Sequence, residues 1–382
     1  MAQQHEANAR SAKPGRTRGG PISRAAAGGV SPTDAAERVR QEVERAIQRN
    51  LKGLEFLSAP KQGVGAMRRI ELARRGTFSL FHYVPVQRDV YRTPLLIVSP
   101  PSNYGYIFDL ASGQSFVEYM LREGYDIYMI DWNPPRSTER HIALDHYIGE
   151  FISEAVDRVI ALSGEEQVSL LGYCMGGTFA LAYAALHPDQ VRNLLLFTTP
   201  VDFTGMELFQ NWAHPDHFDV DELVDRLGII PAEFMLGAFD LMRPANRTAG
   251  VLHLWTNMWD DNYVRSYRMF DRWAAETLPL PGEFFRQMVK ELMWDNALLH
   301  NHLRIGGAQV DLKKVTMPVL NIIAEHDHVV PYKVAHPATA AVGSDQAEEI
   351  VTRGGHVSVV SGPGAVKRLW PRVNEWLGEK SW

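Results

Sequence analysis

The chain has 382 residues, 39 Lys and Arg against 45 Asp and Glu, a formal net charge of -6 and 45% hydrophobic residues. The acidic balance gives no reason for nucleic-acid binding by the body of the chain, and the length suits one large α/β domain with an insertion, or two domains. A single cysteine, Cys174, excludes an internal disulfide, no apolar run approaches the roughly 18 residues of a membrane span, and the N-terminus lacks the apolar core of a secretory signal, so the sequence reads as cytosolic.

Residues 1–30 carry Arg10, Lys13, Arg16, Arg18 and Arg24 against one acid, Glu6, with no hydrophobic periodicity, and are predicted to be a disordered basic tail. Ser31-Pro32-Thr33-Asp34 has the chemistry of a helix start. Within 31–66, an N-terminal helix and linker, Val39, Val43, Ile47 and Leu51 form one apolar stripe. Packing of that stripe on the body is the default, with another subunit as the alternative cover. A first core part, 67–204, alternates strands (Thr77–Tyr83, Leu95–Val98, Asp126–Ile130, Val168–Leu171, Val191–Phe197) with helices (Ser112–Glu123, Ala143–Leu162, Thr178–Leu186). That rhythm predicts an α/β fold with a mostly parallel sheet, whose ligands bind at the carboxyl ends of the strands. Residues 205–302 break it with Trp212, Trp255, Trp259, Trp273 and Trp294 at helical spacing and no clear strand. They are expected to form a helical cap over the active site, hiding a reactive intermediate from water. The second core part, 303–382, resumes with strands at Pro318–Ala324 and Glu349–Thr352 and a closing helix at Lys367–Leu377.

The chemistry centres on Gly172-Tyr173-Cys174-Met175-Gly176, which joins an apolar strand to a helix. This is a nucleophile elbow with cysteine where serine more often sits. A turn that tight requires glycines on either side, lifts the thiol to the sheet edge and aims the N–H of Met175 and the helix N-terminus at it. Downstream, the strand ending at Ala324 delivers Glu325-His326-Asp327-His328, and the last strand leads to Gly354-Gly355-His356. The order Cys…Asp…His is that of an α/β-hydrolase fold. Asp327 fits best as the acid, with Glu325 a near competitor; His326, His328 and His187 rival His356, which alone follows the last strand. His356 would take the thiol proton and Asp327 would fix its tautomer. Met175 N–H would be one oxyanion donor. The second would come from Ser99-Pro100-Pro101-Ser102-Asn103-Tyr104, at Ser102 or beyond and near Asn103, because the prolines have no N–H. Thioester-to-thiol transfer is nearly isoenergetic, whereas a serine ester would be a deeper trap, so cysteine points towards acyl-CoA chemistry. No metal or cofactor is implied.

Tyr106-Ile107-Phe108-Asp109-Leu110, Ile130-Asp131-Trp132, Leu171 to Gly177, Thr199-Pro200-Val201-Asp202-Phe203, Gly306 to Leu312 and Asp327 to Pro331 with Gly355-His356 together resemble the polyhydroxyalkanoate synthases, specifically their short two-subunit class, from about residue 45 onwards. The resemblance implies that Cys174 is the nucleophile, His356 the base and Asp327 the acid. It also implies that an (R)-3-hydroxyacyl-CoA, 3-hydroxybutyryl-CoA foremost, is polymerised with release of CoA at the surface of cytoplasmic polymer granules. A homodimer and a separately encoded second subunit come with it. His326 in the middle of Glu-His-Asp, and the longer basic arm, depart from the family pattern. The competing readings are a cysteine α/β-hydrolase acting on a thioester or lactone, and a non-catalytic granule-associated scaffold.

Overall fold

The computed structural model describes residues 32–58, 63–242 and 251–382. The predicted basic tail and the Ser31 cap lie outside them.

Eight strands form one sheet: β1 (Arg69–Arg75), β2 (Phe78–Tyr83), β3 (Leu95–Val98), β4 (Ile127–Trp132), β5 (Val168–Tyr173), β6 (Val191–Phe197), β7 (Val319–Ala324) and β8 (Ala347–Thr352). Their spatial order is β1-β2-β4-β3-β5-β6-β7-β8. The first two joins are antiparallel and the other five parallel. The central strands are apolar on both faces because both faces are covered. In β3, Leu96 and Val98 enter one core while Leu95 and Ile97 enter the other, the period of two that a pleated strand imposes.

Helices α2 (Phe116–Arg122) and, near the C-terminus, Trp370–Gly378 cover one face, while α3 (Ser153–Ser163) and α4 (Met175–Leu186) cover the other. The predicted start of α2 shifts to Ser115, whose Oγ accepts the N–H of Glu118. The long helix expected over Ala143–Leu162 is π-wound from Asp145 to Ile152 before it becomes α3, which Gly164 ends with a left-handed φ of 74°. Helix α4 is buried from Gly176 to Ala185, so it has no polar face.

The described residues within 205–302 are mainly helical, including α5 (Val220–Leu227), α6 (Ala232–Met242), α7 (Asp261–Ala275) and α8 (Gly282–Gln287), and they also hold a two-residue ladder pairing Ile229–Ile230 with Leu280–Pro281 that helical spacing did not announce. The two roots of this insertion are clasped. Buried Asn296, at φ 47°, donates to Asp202 Oδ1 at 3.0 Å and accepts the N–H of Phe203 at 3.0 Å.

One expectation is overturned. In α1 (Pro32–Ser58) the stripe does not pack on the described body: Val43, Ile47 and Leu51 are each more than half exposed, and the side chain of Val39 lies outside the described residues. The helix instead meets the cap through its polar and aromatic contacts. Lys52 pairs with Asp261, Arg268 donates to the Phe56 carbonyl, and the Arg45 guanidinium lies 5.1 Å over Trp259. Among the described residues no helix is long and apolar enough to cross a membrane.

Candidate active site

β5 ends at Tyr173, and α4 begins at Met175. Cys174 between them is held at φ 53°, ψ -128°, a region that non-glycine residues rarely enter. The glycines around it leave no room for a methyl group. A Cβ on Gly172 would lie 2.4 Å from Gly177 Cα, across the turn. One on Gly176 would lie 2.2 Å from the Val98 carbonyl oxygen, so this glycine admits the end of β3 rather than the other arm of the turn. The turn is fastened by the Cys174 N–H, which donates to Phe197 O at 2.9 Å. The Cys174 side chain is partly buried, between the core on the α2 face and a small cluster of Ile323, Val330, Val334 and Ala335.

The loop after β7 brings Asp327 to this edge, its side chain fully buried. Its Oδ1 accepts the N–H groups of Val329 and Val330, both at 2.8 Å, and its Oδ2 meets His356 Nδ1 at 2.7 Å. These three accepted bonds offset the cost of burying a carboxylate. The His356 ring lies 5.0 Å from the Tyr173 ring, and Cys174 is near enough to act on its protonation. Burial of the ring opposes its protonation, but the negative charges of Asp327 and Cys174 outweigh burial and push the imidazole up to about 10.

The rivals lie elsewhere. The side chain of Glu325 is half exposed and 4.0 Å from His326, itself mostly exposed. His328 is exposed as well, and His187 stacks on Tyr183 at the far end of α4.

The loop that follows β3 touches the elbow through Val98 and Ser99 at Gly176. Asn103 is buried, its N–H closes a 3.4 Å turn on the Pro100 carbonyl, and its side chain donates to Thr277 Oγ1 at 3.3 Å. The cap is stitched to this loop twice more, by Leu278 N–H to Ser102 O at 2.7 Å and Trp273 Nε1 to Tyr104 O at 2.8 Å.

Two buried acids that the sequence did not single out as site residues tie down the segments around this loop. Asp131, at the end of β4, accepts the N–H of Gly105 at 2.7 Å and its own neighbour Trp132 N–H at 3.0 Å, and pairs with Arg69 at 3.2 Å. Asp109 accepts Met67 N–H at 2.9 Å and Ser115 Oγ–H at 2.7 Å, while burial raises its pKa above the usual value. Their signal in the sequence is an acid placed inside an otherwise apolar stretch, as in Ile130-Asp131-Trp132. Among the described residues no group of three or more His, Cys, Asp or Glu is arranged to hold a metal ion.

Comparison with known proteins agrees with this fold. A family model for the alpha/beta hydrolase fold matches residues 105–363, and one described as the N-terminus of poly-beta-hydroxybutyrate polymerase (PhaC) matches residues 68–120. The poly(3-hydroxyalkanoate) polymerase subunit PhaC of Allochromatium vinosum is 33% identical over 91% of this chain and 96% of its own length. The chain belongs to the poly(3-hydroxyalkanoate) polymerase PhaC family. The Haloferax mediterranei subunit of that name is 34% identical over 79% of this chain, which spans 62% of that relative's length. Among solved structures, a thermophilic esterase from Thermogutta terrifontis superposes with a TM-score of 0.50 at 15% identity, covering 82% of this chain and 100% of the esterase, which supports the α/β-hydrolase fold. Membership of the PhaC family places the chain among the acyltransferases of polyhydroxyalkanoate synthesis.

Proposed function

We propose that the chain polymerises (R)-3-hydroxyacyl-CoA, with 3-hydroxybutyryl-CoA as the monomer donor, through a thioester on Cys174. The observation that carries this reading is the His356–Asp327 bond beside the Cys174 elbow in a PhaC-family protein. His356 takes the thiol proton, and Asp327 fixes the tautomer by accepting from Nδ1. The thiolate attacks the acyl carbonyl, the carbon–sulfur bond to CoA breaks, and the leaving thiolate collects the proton from His356. In the second half-reaction His356 deprotonates a chain hydroxyl, whose oxygen attacks the Cys174 thioester. An ester bond forms, and Cys174 leaves as the thiol with that proton. Met175 N–H serves the oxyanion in both halves. Asn103 N–H, the second donor expected from sequence, must release its long bond to Pro100 to serve; Ser102 N–H, one residue earlier, is the competing donor.

Incubation with 3-hydroxybutyryl-CoA tests the reading: polymer and free CoA are the expected products. Monomeric acid with CoA would make the chain a thioester hydrolase, and no CoA release would leave a scaffold. The granule surface, a homodimer and a second subunit complete the proposal. A helical partner acts by favouring an open cap, with the exposed face at Val43, Ile47 and Leu51 as its docking surface. The purified chain alone is therefore expected to release CoA after a lag that added partner shortens. Immediate full-rate release, indifferent to partner, would remove the partner from the proposal.

The elevated His356 pKa sets a pH dependence. The charge of Asp327, with that of Cys174, holds the proton on His356 until the pH nears about 10. A free thiol of pKa about 8.5 is only roughly 0.3% ionised at pH 6. Iodoacetamide should label Cys174 faster in wild type than in His356→Gln at pH 6, with the gap closing as His356 loses its proton near pH 10. Parallel pH profiles for the two proteins would contradict the pairing.

A further inference from the structure

A cavity of about 540 Å³ lies on the outer side of the loop that follows β3, between that loop and the cap. Its size falls within the range of small-molecule sites. Its polar wall consists of Arg69, Tyr104, Tyr106, Asp131, Arg272 and Glu276, with Val64 and Leu278 among its apolar residues. Tyr104 follows Asn103 directly, and the loop begins at Ser99, which abuts Gly176 of the elbow. Tyr104 lies five positions after Ser99, so the cavity wall lies within roughly 18 Å of that contact even for a fully extended chain.

The charges of this wall cancel. Arg69 faces Asp131 at 3.2 Å, Arg272 faces Glu276 at 2.8 Å, and the Tyr106 hydroxyl donates to Glu276 at 2.8 Å. Resting on the acyl-CoA reading above, we propose that this cavity receives the pantetheine arm of the thioester. The choice among the parts of the substrate follows from charge and from donor–acceptor balance. The nucleotide phosphates are polyanionic and would compete with the two resident carboxylates for the same guanidinium groups, with no net positive charge to favour them. A polyester chain carries only acceptors along its length, so it would strip water from Asp131 and Glu276 and return no hydrogen bond. A pantetheine arm is neutral and holds two amides, each with an N–H for a carboxylate and a C=O for a guanidinium or phenol. Its methylene and gem-dimethyl groups suit Val64 and Leu278. The arm is also the part of CoA attached to the reacting sulfur, and the cavity shares its wall with the loop that carries the expected oxyanion donor. Glu276 and Tyr106 are thus specificity-determining residues, and the cap segment that carries Glu276 completes the site when it closes on the loop.

The test uses the full chain with three 3-hydroxybutyryl thioesters, of CoA, of pantetheine and of N-acetylcysteamine, which lacks the pantoate portion. In Glu276→Gln and in Tyr106→Phe the ratio of kcat/KM for the pantetheine thioester to that for the N-acetylcysteamine thioester should fall about tenfold, through KM. Calorimetry with S-methylpantetheine, which needs no turnover, should show binding to wild type weakened by a similar factor in Glu276→Gln, while ADP binding is unaltered. An unchanged ratio, or weakened ADP binding with S-methylpantetheine unaffected, would overturn the assignment. Failure of every thioester to react with wild type would instead strike the acyl-CoA reading, and the calorimetry would still decide what the cavity holds.

Discussion

Replacing Cys174 with alanine is expected to cut CoA release from 3-hydroxybutyryl-CoA by at least about a thousandfold, leaving background turnover only. The chain has no second cysteine to substitute for it. The elbow geometry is fixed by backbone contacts, the Gly172 and Gly176 approaches and the Cys174 N–H bond to Phe197, none of which involves sulfur. Alanine should therefore fold, with Tm within about 3 °C of wild type, since one partly exposed sulfur is lost. Serine should fold equally well and still lose most activity. Its hydroxyl is far less acidic than a thiol, so His356 holds it in the reactive form much less readily. The ester it forms is also a poorer acyl donor than a thioester. An alanine variant that polymerises at a rate comparable to wild type would remove Cys174 from the mechanism.

What could be read from the sequence, and what could not, follows from the range of the interactions involved. Strands β3 to β7 were legible because burial on both faces leaves short apolar runs, and the elbow because a turn that admits no side chain demands glycine at fixed offsets. The reason for Gly176 was not legible: its neighbour is the Val98 carbonyl, from a strand some eighty positions earlier. Asp131 and Asp109 escaped for a similar cause. Each is a buried acid whose meaning lies in which backbone N–H groups it receives, and those belong to residues distant in sequence. The stripe at Val43, Ile47 and Leu51 shows the opposite limit. Periodicity establishes that a helix has an apolar face, but not what covers it, and here the described residues leave Val43, Ile47 and Leu51 exposed. The competition between Glu325 and Asp327 could not be decided from a sequence in which both follow the same strand. Burial decides which of them reaches His356: the Asp327 side chain is fully enclosed, and that of Glu325 is 51% exposed.

That difference sets the second large effect. Asp327→Asn is expected to lower kcat by about 10⁴-fold with little loss of stability. The amide oxygen can keep both bonds from Val329 and Val330, which hold the loop. The amide nitrogen, however, must then face His356 Nδ1, and two donors cannot share that contact. The imidazole responds by carrying its proton on Nε2, where it presents a donor to Cys174 instead of a base. The charge that raised the imidazole pKa is also gone, so burial acts with less opposition and the pKa falls from its elevated value. Labelling of Cys174 by iodoacetamide should accordingly shift to alkaline pH in Asp327→Asn, as in His356→Gln. Glu325→Gln and His326→Gln change exposed side chains and should stay within about twofold of wild type in kcat. Comparable losses in Glu325→Gln and Asp327→Asn, or an Asp327→Asn protein whose labelling profile matches wild type, would take the acid role away from Asp327.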